Sequence, residues 1–270
     1  MADLLPISTE HCVVERDGHV VTVTMNRPEA RNALSSAMLV GLADAWTYMS
    51  ETPDVRVGIL TGAAGTFCAG ADLKAMAQQP SDPRIRERMA EIPNFHWKGL
   101  LREGRPTKPL ICAIEGYAVA GGTELLVGTD LRVVAESATL GLYEAKRGLF
   151  PMGGSAIRLP RQIGYANAMD ILLTARSVTP REALAMGLIN KIVPDGTALA
   201  AARDLADQIA ACGPLAVQAI LRTYRETEHL PEEAALKISD DHGWPVIASE
   251  DAKEGSRAFA QKRPAVFKGE

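Results

Sequence analysis

Gly116-Tyr117-Ala118-Val119-Ala120-Gly121-Gly122-Thr123-Glu124 follows an apolar run, Leu110 to Ile114, and leads into Leu125-Leu126-Val127. The run after Lys108-Pro109 predicts a strand, and the stretch from Glu124 onward predicts an apolar helix. A strand that turns into a helix leaves the first helical N–H groups without backbone acceptors. Gly121 would present such an N–H at the helix mouth, and Glu124 falls within the first turn. Taken alone, Glu124 has two readings: an acid favoured by the helix dipole, or a proton carrier.

Two other segments share features with this one. Gly65-Thr66-Phe67-Cys68-Ala69-Gly70-Ala71-Asp72-Leu73-Lys74 passes from a strand end through small residues to what reads as a helix opening at Asp72-Leu73-Lys74. Its Ala69, Gly70 and Ala71 let a ligand carbonyl approach the backbone closely. Thr139-Leu140-Gly141-Leu142-Tyr143 reads as an apolar strand that ends at Glu144. Glu144 could instead pair with Lys146, Arg147 or Arg158 and serve structure alone. The joint occurrence decides between these readings. Two turns with free N–H groups can hold a developing oxyanion, at about 3–4 kcal/mol per donor, while two acids move protons at neighbouring carbons. That combination suits a thioester enolate.

The rest of the chain supplies a scaffold. Val21, Val23 and Met25 alternate with threonines in a half-buried strand that ends at Asn26-Arg27-Pro28. Met38, Leu42, Trp46 and Met49 form one stripe of a helix over 35–50, capped by Ser35 or Ser36. Val55, Val57 and Ile59 predict the next strand, and Leu131 to Ala135 another. Residues 78–106 turn polar and read as a solvated helix with loops, either a plain connection or a lid. From Pro180 the pattern is helical, with Ala216, Val217, Ile220, Leu221 and Tyr224 on one stripe. This divides the chain into a core over 1–195 and a helical region over 196–270.

Composition excludes several classes. The net charge of −4 argues against a nucleic-acid partner. Cys12, Cys68, Cys112 and Cys212 form no close pair, so reduced structural thiols in a reducing compartment are expected. The five histidines show no metal-ligand spacing, and no metal is expected. The N-terminus has no secretory pattern, and no apolar run approaches the roughly 20 residues of a membrane span. A cytoplasmic protein without membrane insertion is expected.

The order Asn26-Arg27-Pro28-Glu29-Ala30-Arg31-Asn32-Ala33-Leu34, then FCAGADL, GYAVAGGTEL and LGLYEAKRGLFPMGGSAIRLPRQIG, resembles the crotonase (enoyl-CoA hydratase/isomerase) superfamily over nearly the whole chain. The resemblance implies an α/β fold: a spiral of repeated ββα units with a C-terminal helical trimerisation region, assembled as a homotrimer or homohexamer. It implies an oxyanion hole from the N–H groups of Ala71 and Gly121, Glu124 activating water, and Glu144 protonating C2. Syn hydration of a 2-enoyl-CoA to a 3-hydroxyacyl-CoA follows. Alternatives are an isomerase or dehydratase on the same scaffold, or a non-catalytic thioester-binding protein. Coenzyme A would arrive as part of the acyl-CoA substrate, with no separate cofactor. Its contacts are expected at Arg27, Ala30, Ala69, Asp72, Leu73, Lys74, Tyr117 and Lys262. Leu142, Tyr143 and Met152 depart from the family's usual Gly-Gln-Pro-Glu and Pro-Gly-Ala-Gly-Gly patterns, either reshaping the pocket wall or merely packing.

Overall fold

The computed structural model describes residues 3–5, 7–72, 74 and 80–270. Among the described residues ten strands form two sheets: β1 (Asp3–Leu4), β2 (Cys12–Asp17), β3 (Val20–Met25), β4 (Val57–Gly62), β5 (Leu110–Ile114), β6 (Tyr117–Val119), β7 (Leu131–Ala135), β8 (Thr139–Gly141), β9 (Ser177–Val178) and β10 (Lys191–Val193). The large sheet has the order β1-β2-β3-β4-β5-β7-β10, antiparallel through β3 and parallel from β3 onward. The small sheet is β6-β8-β9, with β6 parallel to β8.

The helices described are α1 (Ser36–Glu51), α2 (Pro83–Glu91), α3 (Phe95–Gly99), α4 (Gly121–Gly128), α5 (Ser155–Ile163), α6 (Tyr165–Thr174), α7 (Pro180–Ala185), α8 (Ala198–Ala210), α9 (Pro214–Thr227), α10 (Glu232–Ala248) and α11 (Glu250–Ala260). Two consecutive units, β5-β6-α4 and β7-β8-α5, each send one strand to the large sheet, one to the small sheet, then a helix. The ββα spiral expected from the sequence is therefore present.

Residues of β5 show why the sheet lies where it does. All five are buried, as a strand covered on both faces requires. Leu110, Cys112 and Ile114 face a core shared with Met38, Leu42, Trp46 and Met49 of α1. Ile111 and Ala113 face the other side, against Ala198, Ala202 and Ala206 of α8. Alanines at four-residue spacing let α8 approach the sheet closely. The Ser35 side chain caps α1, accepting from the Met38 N–H at 3.2 Å.

Three expectations shift. The region after Pro180 is not wholly helical, because Lys191–Val193 pairs in parallel with β7 at the sheet edge. Three residues are too few to show an alternation. The apolar strand before Glu144 ends at Gly141, so Glu144 lies on the segment beyond it. The α9 stripe does not face a core within the chain, since Ile220 and Tyr224 are exposed. Of residues 196–270, α8 covers the sheet, whereas α10 packs between α9 and α11.

All four cysteines are free; Cys12, Cys68 and Cys112 are buried and Cys212 is exposed. Burial pushes the Cys12 and Cys68 thiols up to about 12 and raises Cys112 as well, so none of the three is a ready thiolate.

Candidate active site

The segment 67–72 is stitched between two neighbours. On one side Phe67 N donates to Glu115 O at 2.8 Å, Cys68 N to Tyr117 O at 2.7 Å, and Val119 N to Cys68 O at 3.0 Å. On the other, Leu34 N donates to Gly70 O at 2.8 Å and Asp72 N to Leu34 O at 3.0 Å. In such a parallel bridge the flanking residues make the bonds, and Ala71 between them turns its own N–H away. Among the described residues that N–H has no acceptor.

Gly121 opens α4, so its N–H has no intrahelical partner. A Cβ on Gly121 would stand 3.6 Å from the Ala71 nitrogen, which places the two free donors side by side. Gly70 permits this approach. Its φ is +93°, and a Cβ there would meet the Ala120 Cβ at 2.8 Å. Ala120 itself sits at φ 50° and ψ −120°, a conformation that strains any residue with a Cβ. Strain at that position turns the chain from β6 into α4 and aims the Gly121 N–H.

Glu124 lies one turn further on and is only 5% exposed. A helix-start acid serving the dipole would have a lowered pKa. Instead, burial pushes Glu124 up to about 7, and the charge of Glu144 adds to the rise. Backbone donors at Gly153 and Ser155 oppose it; the Ser155 N–H lies 3.5 Å from Oε1. A Cβ on Gly153 would come within 2.7 Å of the Glu124 carboxyl, so only glycine fits against it.

Glu144 is half-buried, and its Oε2 has no hydrogen-bond partner among the described residues. Neither Lys146, Arg147 nor Arg158 forms an ion pair with it there, so the structural pairing considered from sequence is absent. Burial raises its pKa, against a smaller lowering by its own backbone and by the charge of Arg147. Two acids with raised pKa values, the charge of Glu144 being felt at Glu124, are suited to exchanging protons near neutral pH.

The remaining predicted positions divide. Ala30 sits in the 3₁₀ turn Pro28–Ala30, and the Ala69 N–H bonds Arg31 O at 3.0 Å, which keeps both near the Ala71 turn. Arg27 and Asp72 are paired at 2.7 Å, so each is held by the other. Tyr117 is 46% exposed beneath the Arg31 guanidinium, 5.9 Å from its ring centroid. Lys74 is exposed, and Leu73 lies outside the described residues. Lys262 is exposed just beyond α11, and among the described residues no hydrogen bond or ion pair joins it to the other site positions. Leu142 is buried in the core and is a packing residue. Tyr143 bonds Ser177 through its hydroxyl at 2.8 Å, whereas Met152 is exposed beside the Glu124 cradle.

Sequence reasoning missed the supports. Gly153 and Ser155 hold Glu124 from 31 residues away in the chain for the Ser155 bond. Their signal was Gly153-Gly154-Ser155 before an amphipathic helix, which is a second helix mouth. Buried Thr123 ties α4 to β8: its hydroxyl lies 2.6 Å from Ala118 O and 2.9 Å from Gly141 O, and accepts the Gly141 N–H at 3.1 Å.

The chain is similar to known proteins over nearly its whole length. The enoyl-CoA hydratase/isomerase family model matches residues 15–270. Enoyl-CoA hydratase EchA19 of Mycobacterium tuberculosis strain H37Rv is 55% identical over 255 residues, covering 94% of this chain and 95% of that protein. Carnitinyl-CoA dehydratase of Salmonella enteritidis PT4 is 35% identical over 266 residues, covering 97% and 99%. The crystal structure of enoyl-CoA hydratase EchA1 from Mycobacterium marinum superposes with a TM-score of 0.88 at 40% identity, covering 97% of this chain and 100% of that one. With the ββα spiral and the paired turns already in place, a match of this extent makes the chain a member of the enoyl-CoA hydratase/isomerase family, within the crotonase superfamily.

Proposed function

We propose that the chain is a 2-enoyl-CoA hydratase in which Ala71, Gly121, Glu124 and Glu144 perform the chemistry. The observation that carries this is Glu124: buried, raised to about 7, and in charge contact with a second acid. A thioester oxygen between the Ala71 and Gly121 N–H groups would have its developing charge stabilised by about 3–4 kcal/mol per donor. The Glu124 carboxylate takes a proton from water as the oxygen bonds to C3, and electrons move from C2=C3 onto the thioester oxygen. The enolate collapses as protonated Glu144 delivers its proton to C2. Glu124 then holds a proton and Glu144 lacks one, and exchange through solvent resets the pair. Delivery from two acids on one side of the double bond gives syn addition. The step is redox-neutral, and coenzyme A enters with the substrate.

Arg31, Tyr117, Ala30, Ala69 and Lys74 border the Ala71 turn and are proposed contacts for the coenzyme A portion. Arg27 and Asp72 shape that border as a pair. Leu149, Phe150 and Met152 are exposed along the chain between Glu144 and Gly153, and offer an apolar wall to the acyl group. Assembly as a trimer or hexamer is part of this reading, supported by apolar side chains exposed on α9 to α11. Among the described residues no helix is long and apolar enough to cross a membrane, in keeping with a cytoplasmic enzyme.

The test is loss of enoyl-thioester absorbance across a panel of 2-enoyl-CoA substrates, with product masses. Gain of one water marks hydration, whereas an unchanged mass with a moved double bond marks isomerisation. Glu124→Gln and Glu144→Gln should each lower kcat by at least about 100-fold. Near wild-type rates in both variants would remove the two-acid mechanism.

A further inference from the structure

The turn that cradles Glu124 has little of its own to hold it. It runs from Met152 into α5, and its helix cap, Gly154, is left-handed at φ 106° without a side-chain cap. Yet Gly153 and Ser155 on this turn supply the backbone donors to the carboxyl, so its position sets where Glu124 points.

Two arginines add the missing restraint. Arg102 Nη1 donates to Met152 O at 2.9 Å. In return Arg158 Nη2, one turn into α5, donates to Leu101 O at 2.6 Å and Arg102 O at 3.2 Å. The links run in opposite directions between 101–102 and 152–158, so sliding either segment past the other strains both. The anchoring segment is itself fixed. Leu101 is fully buried at φ 58°, and its Cβ would lie 2.8 Å from a Cβ at Gly128. Trp97 O accepts the N–H groups of Arg102 at 2.9 Å and Glu103 at 3.2 Å. The Arg102 guanidinium covers the Trp97 ring at 4.5 Å, and the Trp46 indole bonds Gly99 O at 3.1 Å. This path runs from the α1 core to the Glu124 cradle.

The charge of Glu124 is also felt at Arg158. Burial, with the charges of Arg105 and Arg225, brings the Arg158 pKa down to about 10, against smaller rises from Glu228 and Glu124. The charged groups around this path are thus Glu144 beyond β8, Arg105 before β5, Arg225 on α9 and Glu228 at its end.

We propose that Arg158 and Arg102 are positioning residues for Glu124, holding the 152–155 turn so that the carboxylate faces the reacting water. The proposal rests on the hydratase reading and assigns these arginines no contact with substrate.

Hydration kinetics of full-length Arg158→Gln, Arg158→Lys, Arg102→Gln and Glu124→Gln, measured against pH, provide the test. Arg158→Gln should lower kcat by about 10- to 100-fold with KM within about threefold. Its acid limb should move to higher pH, because a cation near Glu124 is gone. Arg158→Lys should restore the limb and part of kcat. Arg102→Gln should lower kcat about 10-fold without moving the limb. The proposal is overturned if both glutamine variants keep kcat within about twofold of wild type, or if KM rises in proportion to the loss of kcat. Should Arg158→Gln fail to fold, Arg102→Gln decides by the same criteria, since its side chain is exposed. An active Glu124→Gln enzyme would sink the role given to Glu124 in the two-acid mechanism, on which this inference rests; an inactive one beside unaffected arginine variants would sink only this inference.

Discussion

At the scale of single residues, burial sets the chemistry of Glu124. In an unfolded chain its carboxyl titrates near its ordinary value of 4.5, and in the folded chain near 7. Below the ordinary value both states are protonated, and the group leaves stability unchanged. Between the two values the unfolded state is ionised while the folded state keeps its proton, so stability falls as pH rises. Above about 7 both are ionised, and the native state carries the whole penalty, about 3 kcal/mol. Glu124→Gln should therefore raise the Tm more at pH 8 than at pH 4.5, as read by calorimetry; an equal effect at both pH values would contradict the burial argument. Function keeps an ionisable group where folding would favour a neutral one. Glu124 was legible in the sequence because Gly121 and Glu124 share one helical turn. Gly153 was not, because its contact with Glu124 arises only when α5 packs beside α4.

Between elements, the link that matters most is the one from α4 to β8. Thr123 carries it, and with it the relation between Glu124 on the helix and Glu144 three residues beyond the strand. Thr123→Val keeps the shape and removes the hydroxyl, and with it the buried bonds to Ala118 O and to Gly141. A buried hydrogen bond is worth about 0.5–1.5 kcal/mol net, so urea denaturation should show a loss of at least that size. kcat should fall with it, because the two acids no longer share a fixed frame. Unchanged stability and kcat would show that Thr123 is dispensable. Elements with a strong repeat were readable from the chain: the α1 stripe, and the uninterrupted apolar run of β5. Elements without one were not. β10 is three residues long, and its strand character comes from pairing with β7 rather than from any alternation. The polar stretch 78–106 offered a choice between lid and connection. Leu101 and Arg102, at its end, join the cradle of Glu124 to α1, a role set by packing and invisible to composition.

Over the whole molecule, surface area speaks to assembly. A compact monomer of 28.9 kDa is expected to expose about 11,400 Å², whereas this chain exposes 13,550 Å². The excess goes with an apolar surface on the last three helices, where Ile220, Tyr224, Leu236, Trp244, Ile247 and Phe259 are exposed. The sequence showed the α9 stripe but not what it faces, because periodicity reports an apolar side without naming its partner. In the assembly proposed above, a second copy of this chain would cover both the stripe and the excess area. Light scattering of the purified protein should then give three or six times 28.9 kDa. Replacing Trp244 and Ile247 together with glutamate should shift it to the monomer mass while circular dichroism stays helical, since both side chains are solvent-exposed within the chain. A wild-type protein that already runs as a monomer at micromolar concentration would refute assembly through this face.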